Sequence, residues 1–274
     1  MCDLDGCINY DHLPEISVDP EQRRNFLKGM AGLPLASILA FPELATAATS
    51  GMRDITISTS TGKSVTASVA FPVQKMAPTI LLIHEWWGLN TNIKVMAAEF
   101  AKLGYIAVAV DMYGGEVATD RQGAMSLMKG VTPESGTETL STWINWMKNH
   151  ERSTGQVATL GWCFGGGWSL NASLANEVDA TVIYYGRVNK TAEQLATLNS
   201  PVLGHFGTLD KSINKKMVNG FLSAATEAGK AKQILTYWYE ANHAFANPTG
   251  ARYDEADAAL AWKRTQTFLK AYLW

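Results

Sequence analysis

Residues 157–167 constrain this chain more than any other stretch. They read Val157-Ala158-Thr159-Leu160 and then Gly161-Trp162-Cys163-Phe164-Gly165-Gly166-Gly167, and a segment of helical character follows. Such a passage fits a strand that turns sharply into a helix, with the thiol at the apex. The glycines have a steric reason to be there, because side chains beside a strained turn would collide with neighbouring backbone. The helix starts at the thiol, so the positive end of its dipole favours a thiolate. A glycine-rich phosphate loop is the competing reading. That loop sets its glycines ahead of a helix to admit a pyrophosphate, whereas this one lies late in the chain and centres on a cysteine. An inert buried thiol is the other alternative, and the flanking glycines argue against it.

Around this turn the chain alternates two kinds of segment. Two alternating runs, 55–60 and 65–71, joined by Thr61-Gly62-Lys63, predict a hairpin. Apolar runs at 79–83, 106–110, 157–160, 180–184, 202–206 and 234–239 have the character of buried parallel strands. Helical spacing occupies 92–103, 135–149, 214–228 and 254–272, with Gly104 and Gly229 as stop residues. The pattern predicts an α/β domain: a mostly parallel central sheet, helices on both faces and an N-terminal antiparallel hairpin. At 47% hydrophobic, 274 residues can fill one large core. A formal charge of −2 offers no basic stripe for nucleic acid. Neither zinc-type cysteine spacing nor a paired-histidine motif occurs, so no metal and no cofactor are expected.

Sheets of this kind bind ligands beyond the carboxyl ends of their strands. The residues there are Glu85, Asp111, Cys163, Tyr185, Asp210 and His243. A nucleophile, an acid and a base follow one another in chain order as Cys163, Asp210 and His243. His243 would take the thiol proton, and Asp210 would fix the tautomer of the ring and steady the imidazolium. The plainer readings are a helix cap for Asp210, before Ser212-Ile213-Asn214, and a surface loop histidine for His243. His84 and His205 lie in or at the end of apolar runs, as hydrogen-bonded core residues would. The backbone N–H groups of Trp86 and Phe164 stand where two oxyanion donors are needed.

Six motifs taken together resemble the dienelactone hydrolase family of α/β-hydrolases, over about residues 52 to 274. They are His84-Glu85-Trp86-Trp87-Gly88-Leu89-Asn90, Asp111-Met112-Tyr113, Gly161 to Gly166, Tyr184-Tyr185-Gly186, Gly207-Thr208-Leu209-Asp210 and His243-Ala244-Phe245. The resemblance implies the α/β-hydrolase fold, a Cys163–His243–Asp210 triad and a small ester or lactone as substrate, cleaved through a thioester. It also implies that Glu85 contacts the resting thiol and takes part in forming the thiolate; a structural carboxylate is the plainer role. Family members that cleave dienelactone hold its carboxylate with two arginines. This chain has Gly114-Gly115 at one of those places and Ala246-Asn247 at the other. Arg187 is left as a charge from another side. Trp86, Trp87, Trp162, Trp168, Tyr113 and Tyr185 instead point to an aromatic pocket or to core, with Tyr113, Tyr185 and Trp87 as substrate contacts. The alternative function is a non-catalytic ligand-binding or thiol redox-sensing protein on a hydrolase scaffold.

The N-terminal segment differs from the rest. Gln22-Arg23-Arg24-Asn25-Phe26-Leu27-Lys28 precedes an uncharged stretch, 29–42, and then the small residues Ala45-Thr46-Ala47. This order predicts a twin-arginine export signal over 1–47, a mature domain over 48–274, handling by the twin-arginine export machinery and a periplasmic or otherwise exported location. The apolar stretch falls short of the ~20 residues of a membrane span, so no stable anchor is expected. The alternative is an amphipathic helix packed on the domain, against which the Gly, Ala and Pro content argues. Cleavage after Ala47 would remove three basic and seven acidic residues, moving the formal charge from −2 to +2. Cys163 would then be the only cysteine, a liability in an oxidising compartment unless it is used.

Overall fold

A computed structural model describes residues 35–274, so residues 1–34 of the expected export signal lie outside the described part. Its strands are β1 (Arg53–Ser58), β2 (Ser64–Ala70), β3 (Ala77–Ile83), β4 (Ile106–Val110), β5 (Ser153–Trp162), β6 (Ala180–Tyr184), β7 (Val202–Gly207) and β8 (Ile234–Tyr239). The helices are α1 (Leu35–Ala40), α2 (Pro42–Thr49), α3 (Thr91–Lys102), α4 (Arg121–Gly130), α5 (Pro133–Asn149), α6 (Phe164–Ala175), α7 (Ala192–Leu195), α8 (Lys215–Glu227) and α9 (Glu255–Leu273). The eight strands form one sheet in the order β1-β2-β4-β3-β5-β6-β7-β8. From β4 to β8 every neighbouring pair is parallel. The β1–β2 hairpin and its pairing with β4 are antiparallel, as the alternating runs predict.

Side-chain alternation explains the layers. On β3, Ile80 and Leu82 face one way and Leu81 and Ile83 the other, and all four are fully buried. The first pair packs with Ile93, Met96 and Phe100 of α3 and with Phe268 and Leu269 of α9. The second packs with Leu140, Trp143, Ile144 and Met147 of α5, the four residues whose spacing marks one helical face. A strand covered on both sides has no reason to alternate polar with apolar, hence its continuous apolar run.

Three differences from the sequence expectations have physical reasons. Strand β5 runs ten residues, from Ser153 through Trp162, because parallel pairing with β6 carries on to Trp162 opposite Tyr184. Helix α4 is short and fully buries only Ala124, while Leu127 and Met128, one turn on, are partly buried against the core; Asp120 caps it through the Gly123 N–H. Residues 35–49 are helical despite their composition. Pro42 starts α2, and Ile38 and Ala45 pack with Val95 of α3, which supplies what propensity lacks. Among the described residues, no helix is long and apolar enough to cross a membrane.

Both core histidines are hydrogen-bonded. His205 Nδ1 faces the Tyr239 hydroxyl at 2.8 Å, and Nε2 faces Thr265 Oγ1 at 3.0 Å. Burial pushes its pKa down to about 3, and that of His84 down to about 4. An unfolded histidine protonates below its ordinary value, whereas these stay neutral, so folding stability falls as the pH drops below about 6.5. Between pH 7 and 5, urea titrations should show wild type losing about 2 kcal/mol more than His205→Gln. An equal loss in both would mean that His205 protonates in the folded state.

Candidate active site

The turn from β5 into α6 is tight because its glycines touch backbone. A Cβ on Gly161 would strike the carbonyl group of Gly165, and one on Gly165 would strike the carbonyl oxygen of Ile83 at the end of β3. Cys163 takes φ 55° and ψ −114°, a costly conformation for a residue with a side chain. Its backbone is held on both sides: its N–H donates to Tyr184 O at 3.0 Å, and its carbonyl accepts from the Gly167 N–H at 3.3 Å. Tyr185 (φ 38°) and Ala244 (φ 64°) are the other non-glycine residues with positive φ among those described. All three flank the same site.

Cys163, His243 and Asp210 come together as a hydrogen-bonded chain. His243 Nε2 lies 3.1 Å from Cys163 Sγ, and His243 Nδ1 lies 2.6 Å from Asp210 Oδ2. Asp210 does not cap α8, which Asn214 caps. Its Oδ1 instead accepts from the N–H groups of Ser212 (2.8 Å) and Ile213 (3.0 Å), so both carboxylate oxygens are engaged. Burial raises the Asp210 pKa, but the His243 hydrogen bond and these amides outweigh it and leave the value lowered. Burial likewise works against a charged His243, yet Asp210 and the sulfur hold its pKa up at about 10. The site therefore presents a thiol at a helix N-terminus, facing a ring that keeps its proton at neutral pH. Such a pair can deliver a nucleophilic sulfur and return a proton to a leaving group.

Phe164 is the first residue of α6, so its N–H has no acceptor within the helix. Trp86 lies in the turn after β3, and Tyr113 braces it by donating from its hydroxyl to Trp86 O at 3.2 Å. His84 lies beneath. It donates from Nδ1 to Glu85 O at 2.6 Å and accepts the Met112 N–H on Nε2 at 3.1 Å. Asp111 then takes the Tyr113 N–H at 2.8 Å and the Gly115 N–H. Trp86 and Trp87 are half-buried at the surface, with ring centroids 5.0 Å apart. Trp168 is a core residue, seated where Gly136 of α5 leaves room. Arg187 is exposed, and Tyr185 is 1% exposed.

Glu85 is buried at the end of β3, but the hydrogen-bond partner of the thiol is His243. The Glu85 carboxylate accepts from Asn247 Nδ2 on Oε2 at 2.5 Å and from the Tyr185 hydroxyl on Oε1 at 3.4 Å. Burial raises its pKa despite these bonds and the attraction of His243. In the sequence Asn247 is marked only as half of Ala246-Asn247, the pair that the resemblance sets where family members that cleave dienelactone carry an arginine. Its link to Glu85, 162 residues away in the chain, has no sequence signal. Among the described residues, no group of three or more His, Cys, Asp or Glu side chains is placed to hold a metal ion.

Residues 65–273 match the family model described as the dienelactone hydrolase family. The chain belongs to that family. It is 28% identical over 230 residues to a carboxymethylenebutenolidase of Pseudomonas putida, covering 78% of this chain and 94% of that one. It is 24% identical over 225 residues to carboxymethylenebutenolidase 1 of Cupriavidus pinatubonensis, covering 78% and 95%. A crystal structure of a dienelactone hydrolase-like promiscuous phosphotriesterase from metagenomic libraries superposes with a TM-score of 0.73 at 19% identity, covering 82% of this chain and 100% of the other; at that identity the likeness is one of fold. A hydrolase of this family with a small-molecule substrate is thus the protein's class.

The contact between Gly165 and β3 is open to test. A methyl group there meets backbone, which cannot rotate away. Gly165→Ala is expected to cost about 1–3 kcal/mol of stability in urea unfolding, the usual cost of overpacking. An unchanged midpoint would show that the two turns are not in rigid contact.

Proposed function

We propose that this protein hydrolyses a neutral ester or lactone through a thioester on Cys163. The observation that carries the reading is the unbroken chain from Sγ to Nε2 at 3.1 Å and from Nδ1 to Oδ2 at 2.6 Å. The sulfur, its proton held by His243, attacks the carbonyl carbon and forms a C–S bond. The carbonyl electron pair moves onto oxygen, where the N–H groups of Trp86 and Phe164 stabilise it. Collapse breaks the C–O bond, and His243 returns the proton to the departing alkoxide. Water then attacks the thioester while His243 takes its proton. The acid leaves, and the thiol recovers its proton. Glu85 lies beside this path, within the attraction of His243.

The substrate class follows from what replaces a cationic clamp. Gly114 and Gly115 offer no side chain, and Asn247 is neutral and already committed to Glu85. A carboxylate-bearing lactone would lack a bidentate partner, so an uncharged acyl group fits better. The intact Asp210–His243 pair favours hydrolysis over thiol redox sensing, which needs neither residue. Residues 1–47 are proposed as a twin-arginine signal that exports the folded domain. In the described portion, α1 and α2 are helical, and Ala47 lies in α2.

Short aryl esters and small lactones provide the assay. Cys163→Ala should lower kcat/KM by about 10³-fold or more, because a nucleophile has no substitute. Equal hydrolysis by both proteins would remove the assignment. For export, replacing Arg23 and Arg24 together by lysine should leave the precursor in the cytoplasm; fractionation showing unchanged export would refute the signal.

A further inference from the structure

One peptide group joins the Glu85 carbonyl to the Trp86 N–H, the oxyanion donor proposed for the turn after β3. A peptide unit is planar and trans, so its carbonyl and its N–H point opposite ways and rotate together. Whatever grips the Glu85 carbonyl therefore aims the Trp86 N–H. Two groups grip it. His84 Nδ1 lies 2.6 Å from Glu85 O, and the Gly88 N–H reaches the same oxygen at 3.3 Å. The Trp86 N–H itself donates to no backbone carbonyl among the described residues. A hydrogen bond to the carbonyl also polarises the peptide, which strengthens its N–H as a donor.

The proton on His84 Nδ1 is decided on the far side of the ring. The Met112 N–H can only donate, and it reaches Nε2 at 3.1 Å. Nε2 must then be bare, and a neutral ring carries its single proton on Nδ1. Burial keeps the ring neutral, with its pKa down at about 4. The ring has no room to swing: it is fully buried, with the Tyr113 ring edge-on at 4.6 Å and the Phe164 ring stacked at 5.9 Å. The loop after β4 holds the next two carbonyls of the turn as well. The Tyr113 hydroxyl donates to Trp86 O at 3.2 Å, and the Ala118 N–H donates to Trp87 O at 2.8 Å. The direction of the Phe164 N–H is set by α6 itself. The Trp86 donor lies in an irregular turn, and its direction depends on these contacts.

We propose that His84 is a positioning residue for the oxyanion site: through its Nδ1 proton it holds the Glu85 carbonyl and so aims the Trp86 N–H, and the Met112 amide fixes which nitrogen carries that proton. His84 acts through the peptide group and not on the reacting atoms. This role rests on the thioester chemistry proposed above. The charge that the N–H meets exists only after sulfur has attacked, so His84 bears on kcat rather than on substrate binding or on the thiol itself.

Two reactions of the same thiol provide the test. Ester cleavage places negative charge on the carbonyl oxygen, whereas iodoacetamide is attacked at a saturated carbon and places none there. His84→Phe fills the site with a ring that cannot donate to Glu85 O, and His84→Gln presents one donor and one acceptor. With short aryl esters, His84→Phe should lower kcat about 10- to 100-fold, up to the loss of an oxyanion donor, with KM within about twofold of wild type. Its alkylation rate at Cys163, read by intact mass, should stay within about twofold of wild type. His84→Gln should recover kcat to within about fivefold. The tautomer is read separately in wild type, from the imidazole nitrogen chemical shifts of histidine-labelled protein at about pH 7, which should show His84 protonated on Nδ1. That measurement decides the matter even if His84→Phe does not fold. An unchanged kcat in His84→Phe, an equal fall in its alkylation rate, or a proton on Nε2 would overturn the proposal and leave Cys163 as the nucleophile. Equal ester hydrolysis by wild type and Cys163→Ala would overturn the thioester reading beneath it.

Discussion

The close contact between the β5–α6 turn and the end of β3 is the constraint on which the site depends. Gly165 lies against the carbonyl groups of Ile83 and His84, with no space for a methyl group. That contact sets the N-terminus of α6 beside the turn carrying Glu85 and Trp86. One backbone approach therefore fixes the thiol, both candidate oxyanion donors and the buried carboxyl relative to one another. Strain at Cys163 persists because hydrogen bonds on each side of it over-determine the turn.

Around this contact the polar groups are paired in a definite sense. Asp210 spends one oxygen on two backbone amides and the other on His243, which orients the ring toward sulfur. His84 is kept neutral by burial and joins the Glu85 carbonyl to the Met112 amide, tying the end of β3 to the loop after β4. Burial therefore has opposite results within one site. It keeps His84 uncharged, outweighing the attraction of Asp111, and it is overcome at His243, where a carboxylate and a sulfur stand on either side.

Asn247 decides what the Glu85 carboxyl meets once it is buried. A guanidinium there would be a positive charge beside Glu85, whereas an amide supplies one neutral donor and leaves burial to raise the carboxyl pKa.

Much of this architecture is legible in the chain. Predominantly apolar strands such as β3, β4 and β6 announce burial on both faces, and the order Cys163, Asp210, His243 at strand ends announces the hydrogen-bonded chain, because strand period and strand-end placement are local properties. Helix α4 is hard to read because its apolar stripe is only one turn long and glycines stand within it and at its end, and α1 and α2 are hard to read because their helicity comes from packing on Val95. Arg187, Tyr113 and Tyr185 are identifiable by motif, but only folding decides that the first is exposed and that the other two are buried braces on Trp86 and Glu85. The partner of Glu85 belongs to tertiary structure entirely. Asn92, Asn247 and Glu85 come from three distant segments, and no local pattern encodes which buried donor a carboxyl group meets once water is excluded.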